Sequence, residues 1–313
     1  MDQRRPFRFG VAAESAPSRE QWAALVRKVE GMGYATFVLA DHFVNEFLPI
    51  AALMAAADAT STLRVGTFVF DNDFRHPVLL AKEVAALDLL SGGRFELGIG
   101  AGWHKPEYEQ VGIPFDAAGI RISRMEEALQ IIRKFFTEET VTFAGKHYTV
   151  TDLKTSPRPF QRPHPPFFIG GGGKKLLSIA GREADIVGIH FKVNDDGTVD
   201  ASERTEAAIA RKLEWIREAA GDRFNAIELN LLLSRVVITG DRRRAAGKFV
   251  RESRRADTTV EQVLANPYLL IGSVEQVIEQ LQRLRERYGI SYFVVGDESM
   301  EALAPVVARL GGR

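Results

Sequence analysis

Residues 166–190 read PFFIGGGGKKLLSIAGREADIVGIH. An apolar run ends in four glycines, a helical pattern opens on two lysines, and a second apolar run, IVGI, comes after it. Strands covered on both faces read as continuous apolar runs rather than alternating ones, so the stretch is one parallel βαβ unit. Working outward, runs of the same kind recur at 8–11, 36–39, 64–70, 95–99, 228–233 and 291–295, which with 166–169 and 186–189 makes eight.

Helical patterns lie between them. One carries Trp22, Leu25, Val26, Val29 and Met32 on a single face; Ser18 with Gln21 three residues on predicts a capping box, and Gly33 a stop. Another spaces Ile122, Met125, Leu129, Ile132 and Phe136 over four turns, and a third carries Val274, Val277, Ile278, Leu281 and Leu284 between Ser273 and Gly289. Eight strands alternating with about eight helices predict an α/β fold, a (β/α)8 TIM barrel forming a single domain over 1–313. Three insertions are expected. TVTFAGKHYT at 140–149 reads as a hairpin turning at Ala144 and Gly145. SPRPFQRPHPP at 156–166 has five prolines in eleven residues and reads as extended. An Arg-rich segment at 241–267 reads as helical.

Composition narrows the function. The 313 residues are 45% hydrophobic and 26% charged, with 41 basic and 41 acidic side chains, so no net field draws in nucleic acid or an anionic membrane. A small-molecule substrate is the default partner. The absence of cysteine rules out disulfides and thiolate metal sites and fits a reducing compartment. The N-terminal MDQRRPFRFG lacks a signal-type apolar run, and no stretch approaches the roughly 20 apolar residues of a membrane span. The expectation is a cytoplasmic protein.

In such barrels chemistry sits at the C-terminal strand ends, so the residues just past each strand matter most. After the fifth come Gly170, Gly171, Gly172, Gly173 and Lys174. Bare backbone amides at a helix N-terminus suit a phosphate, although a flexible turn would read the same way. After the second come Asp41 and His42. A histidine oriented by a carboxylate suits acid–base work, and a structural pair closing the loop is the alternative. After the fourth, GIGAGWHKPEYEQVG packs Trp103, His104, Lys105, Glu107 and Tyr108 behind its glycines. His190, after the sixth, could touch substrate or serve as a satisfied structural residue. The Arg-rich RRRAAGKFVRESRR is read as an exposed helix rather than an anion-binding surface.

Other barrel chemistries lack their residues. Metal-dependent hydrolases of this fold commonly begin their histidine ligands on the first strand, where RFGVAA has none, so no metal is expected. A Schiff-base aldolase needs a lysine in or just past a strand, and only Lys192 comes near. Phosphate binding with aromatic and histidine lining remains, which suits a bound cofactor.

Five stretches carry a resemblance: GYATFVLADHF at 33–43, LRVGTFVF at 63–70, RHPVLLAKEVAALDLLSGGRFELGIGAGW at 75–103, EYEQVGIPF at 107–115 and FFIGGGGKKLLSIAGREADIVGI at 167–189. Together they resemble the luciferase-like family of flavin and deazaflavin enzymes, which includes FMN-dependent monooxygenases and oxidoreductases using coenzyme F420. The resemblance implies a flat ring at the barrel mouth and its phosphate at Gly170–Gly173 and Lys174. It implies that Gly100, Ala101 and Gly102 leave room for the ring, and that Trp103, Glu107 and Tyr108 close the wall. It places a non-prolyl cis peptide at Phe68 and Val69, Asp41 against the deazaflavin and His42 beside the reacting carbon. It also suggests Arg75, Lys105, Lys174 and Lys175 as basic access for a polyglutamyl tail, and a homodimer.

Departures are as informative. Glucose-6-phosphate-oxidising members carry a Trp where this chain has Glu46 and a Glu where it has Trp103, which argues against that substrate. The resulting expectation is hydride transfer between F420 and a small organic substrate. The alternatives are an FMN-dependent monooxygenase using reduced flavin and O2, and a non-catalytic flavin-binding barrel.

Overall fold

The computed structural model describes residues 5–194, 197–252 and 258–313. Eight parallel strands close on themselves: β1 (Arg8–Ala12), β2 (Thr36–Leu39), β3 (Arg64–Thr67), β4 (Phe95–Gly100), β5 (Phe167–Gly171), β6 (Ile186–Ile189), β7 (Glu228–Leu233) and β8 (Ile290–Gly296). Their order is β3-β2-β1-β8-β7-β6-β5-β4, and β3 pairs with β4 to shut the ring. Each of the eight runs read from the sequence is one of these strands. A helix comes after each: α1 (Arg19–Gly31), α2 (Pro49–Asp58), α3 (Pro77–Leu90), α4 (Ala118–Thr137), α5 (Lys174–Glu183), α6 (Glu206–Ala220), α7 (Val274–Tyr288) and α8 (Asp297–Leu310). This is the expected TIM barrel.

Local signals act as read, with one difference. Ser273 and Gln276 form a reciprocal capping box on α7, and Gly289 ends it at φ 75°. On α1 the Ser18 hydroxyl accepts from the Gln21 amide, but among the described residues the Gln21 side chain does not reach back to the Ser18 amide, so only half of the box forms. The hairpin forms from Thr140–Ala144 and Thr149–Lys154, five residues longer than expected on its second arm. The proline-rich stretch carries no helix or strand, and its Ser156–Pro157 and Arg162–Pro163 bonds are cis. The helical insertion appears as Arg242–Glu252 and Val260–Ala265, while residues 253–257 lie outside the described residues. A short parallel pair, Arg235–Ile238 with Leu269–Gly272, brackets it and was not anticipated.

Strand alternation sorts side chains into two cores. Phe9, Val11, Phe37, Leu39, Val65 and Leu97 face the helices. Inside, the N-terminal end is polar: Arg8 donates to Glu228 and pairs with Glu96, which also accepts from Arg64 at 2.6 Å. Above it, Thr36 and Tyr292 share a hydrogen bond of 2.8 Å, and Gly10 leaves the space they fill, since a Cβ there would lie 2.3 Å from the Thr36 hydroxyl. Higher still, Val38, Phe168, Ile186 and Val294 pack with Phe68 and Val69. That apolar layer is the floor of the C-terminal mouth. No described helix is long and apolar enough to cross a membrane.

Candidate active site

His42 leaves the end of β2 half-buried at the mouth, with its side chain 26% exposed. Its Nδ1 lies 2.9 Å from Glu107 Oε2 and donates to it. Glu107 is buried, on the short helix Lys105–Val111 that begins past the glycine-rich turn after β4. A buried acceptor-only carboxylate fixes the neutral imidazole with hydrogen on Nδ1, which leaves the Nε2 lone pair free to take a proton. Trp103 stands edge-on to the His42 ring at 5.8 Å and is half exposed. His104 lies beside Trp103, 6.1 Å from the His42 ring, its Nδ1 3.3 Å from Glu107 Oε1.

Asp41 has a different place from the one expected. Its carboxylate is buried, paired with both terminal nitrogens of Arg75, one at 3.1 Å, and it accepts the Asp71 amide at 3.2 Å. With both oxygens engaged, it positions Arg75 and the chain after β3 rather than orienting His42. The carboxylate that does orient His42 is Glu107, which the sequence reading puts on the pocket wall. The two are 65 residues apart, so no periodicity joins them. The available signal was an acidic residue in the first turn of a short helix begun by Pro106 directly past the β4 glycines.

Behind this layer, the Tyr108 hydroxyl donates to both oxygens of Asp71 at 2.7 Å. Burial pushes the Asp71 carboxyl up to about 6; the Asp73 amide and the Tyr108 hydroxyl oppose the shift, and the charges of Asp73 and Asp41 add to it. Tyr108 is itself fully buried, so it and Glu107 stand behind the wall, not on it. The glycines after β4 answer to the same packing. A Cβ on Gly102, at φ 73°, would fall 1.9 Å from the Tyr108 hydroxyl, and one on Gly100 would fall 2.8 Å from Val69. Their missing side chains make room for the protein's own atoms. Ala101 is buried, and its carbonyl accepts from Arg121 at 3.1 Å.

The Phe68–Val69 peptide is cis, at the position the resemblance gave. After β5 the four glycines divide. A Cβ on Gly172 would lie 2.2 Å from the Phe191 backbone, and Gly171 and Gly170 lie against Leu176 and Phe168. Gly173, the N-cap of α5, has open space around its Cα and gives the helix no side-chain cap. The first-turn amides of α5 therefore stay available to an anion. Lys174 reaches Glu218 at 3.8 Å and Lys175 donates to the Gly119 carbonyl at 3.0 Å, so both ammonium groups turn to the flank. Lys105 pairs with Glu109. Of the four cations named as access for an acidic tail, Arg75 is held by the buried Asp41, while Lys105 and Lys174 are exposed and only loosely paired.

Past β6, burial and the neighbouring Lys212 charge push His190 down to about 4, leaving it neutral near pH 7. The buried Lys212 donates to the His190 carbonyl at 2.7 Å and pairs with Glu203, which accepts the Lys192 amide at 2.9 Å. This network pins the loop after β6 through the His190 main-chain carbonyl, and the imidazole itself is partly exposed.

The fold is a (β/α)8 barrel with this candidate site at its C-terminal rim. The chain belongs to the luciferase-like monooxygenase family, which it matches over residues 5–291. It is 30% identical over 159 residues to the FMNH(2)-dependent dimethylsulfone monooxygenase of Pseudomonas putida, a match covering 48% of this chain and 44% of that protein. It is 24% identical over 293 residues to the F420-dependent glucose-6-phosphate dehydrogenase of Amycolatopsis mediterranei, covering 88% and 87%. Among solved structures, the coenzyme F420 dependent tetrahydromethanopterin reductase of Methanopyrus kandleri superposes with a TM-score of 0.76 at 19% identity, covering 97% of this chain and 99% of that one. The family holds both F420-dependent oxidoreductases and FMN-dependent monooxygenases, and the chain is an enzyme of that family.

Proposed function

We propose that the protein transfers a hydride between coenzyme F420 and a small organic substrate at the C-terminal mouth, with His42 handling the proton. The observation that carries this reading is the His42–Glu107 pair: a half-exposed imidazole, oriented by a buried carboxylate, over an apolar floor. The residues present fit such a cofactor. The uncapped first turn of α5 beside Gly173 suits its phosphate, and the partly exposed Phe68 and Val69 and the exposed Trp103 offer apolar and aromatic surface to a flat ring. When bound, F420 supplies a carbon that accepts or donates hydride. His42 Nε2 takes the hydroxyl proton of an alcohol as its C–H is oxidised, or returns it to a carbonyl in reverse. Glu107 stabilises the resulting imidazolium, and the apolar layer excludes water from the reacting carbon.

The match to the F420-dependent dehydrogenase spans most of both chains, whereas the match to the FMNH(2)-dependent relative spans under half of each, which favours the deazaflavin. An FMN-dependent monooxygenase remains the second reading because that shorter match has the higher identity. The test is F420 reduction, followed by absorbance, across a panel of small alcohols and aldehydes. His42→Ala should lower turnover by about 10²–10⁴-fold, the usual contribution of a general acid–base group, with cofactor affinity little changed. Equal losses in both would recast His42 as a binding residue.

A further inference from the structure

The acid–base role leaves part of this cluster unexplained. His42, His104 and Glu107 each place one ligand atom within 4.8 Å of the other two. Glu107 is 1% exposed, yet among the described residues its Oε1 has no hydrogen-bond partner; His104 Nδ1 lies 3.3 Å from it. A buried carboxylate oxygen left in that state costs free energy unless something satisfies it. Proton handling by His42 uses only Oε2, so it accounts for neither Oε1 nor the second imidazole.

We propose that His42, His104 and Glu107 form a binding site for a borderline divalent cation of the zinc, cobalt or nickel type. Two imidazoles and one carboxylate are a donor set suited to such ions and poorly suited to calcium or magnesium, which take oxygen ligands. With bonds of about 2.0–2.2 Å, a tetrahedral ion needs its ligand atoms about 3.4 Å apart, and the observed group closes to that by small turns of two partly exposed rings. The anchoring carboxylate is already held inside. His104 and Glu107 stand three residues apart, and the helix beginning at Lys105 places both on one side. With Nδ1 on the ion, each imidazole carries its hydrogen on Nε2 and stays neutral. Three protein ligands leave a position open toward the mouth, as in zinc sites that exchange water or substrate. The ion would take Glu107 from His42, so metal binding and proton handling exclude one another.

This inference goes beyond the proposed reaction and can fail without it. Co2+ is titrated into the full-length protein without cofactor, and the visible d–d absorption is followed. The expected result is a four- or five-coordinate spectrum saturating at one equivalent and displaced by Zn2+. His104→Ala should weaken Co2+ binding at least tenfold, and Glu107→Gln should do the same, with unfolding midpoints measured to show that both variants fold. The proposal is overturned if Co2+ shows only its hexaaqua spectrum at millimolar concentration, or if the bound spectrum survives His104→Ala unchanged.

Discussion

The two ends of the barrel treat buried charge in opposite ways. At the N-terminal end, Arg8, Arg64, Glu96 and Glu228 pair among themselves, and the Arg8 guanidinium lies 3.8 Å from the centre of the Tyr292 ring. Burial alone would push the Glu96 carboxyl up, but Arg8 and Arg64 together hold it below its ordinary value. At the C-terminal end, His42 keeps an unused nitrogen, Glu107 an unused oxygen, and α5 an uncapped first turn. Satisfied polar groups fix a structure; groups left with spare valence at a rim are free to act on something else.

The contrast is sharpest where a carboxylate is removed. Glu96→Ala should lower stability by about 3–5 kcal/mol, because Arg64 loses its carboxylate and Arg8 keeps only Glu228. The urea unfolding midpoint reads this, and F420 affinity should stay within about twofold if the two ends act separately. A smaller stability loss with weakened cofactor binding would break the separation. Glu107→Gln should reverse the pattern. The amide can donate to His42 as well as accept, the imidazole loses its fixed tautomer, and turnover should fall roughly 10–100-fold, the range for partners that orient a working histidine. Its unfolding midpoint should move less than that of the Glu96 variant.

The smallest effect concerns the loop after β6. His190 is held near 4, below the ordinary histidine value of 6.5. The unfolded chain therefore takes up a proton below pH 6.5 that the folded protein refuses. The stability this group contributes is present above pH 6.5 and is lost as pH falls through about 4. His190→Gln should accordingly lose less stability than the parent between pH 7 and pH 4.5, in urea titrations at matched ionic strength. Parallel pH dependence in the two proteins would show that His190 titrates normally.

Most of the scaffold was legible because a parallel strand buried on both faces has no choice but to be apolar, and the runs at 36–39 and 186–189 say so without help. His42 was legible for a related reason: a residue directly past a barrel strand stands at the mouth. The partner of His42 was not. Asp41 adjoins it in sequence, yet adjacent residues in an extended segment face opposite sides, and Asp41 goes to Arg75 while Glu107 arrives from the segment after β4, two strands along the ring. Gly100 and Gly102 stand against the protein's own atoms, on Val69, Asp71 and Tyr108, and those neighbours are known only once the chain is folded. The parallel pair Arg235–Ile238 and Leu269–Gly272 escaped because two four-residue runs separated by an insertion carry no local signal of pairing.

The central claim is that the C-terminal rim receives the flat ring and phosphate of F420 in preference to those of FMN. Separate difference-absorbance titrations of the purified protein with oxidised F420 and with FMN test it most directly. Saturable F420 binding is expected, with a Kd at least tenfold below that for FMN. Failure of both to bind, or tighter binding of FMN, would contradict it.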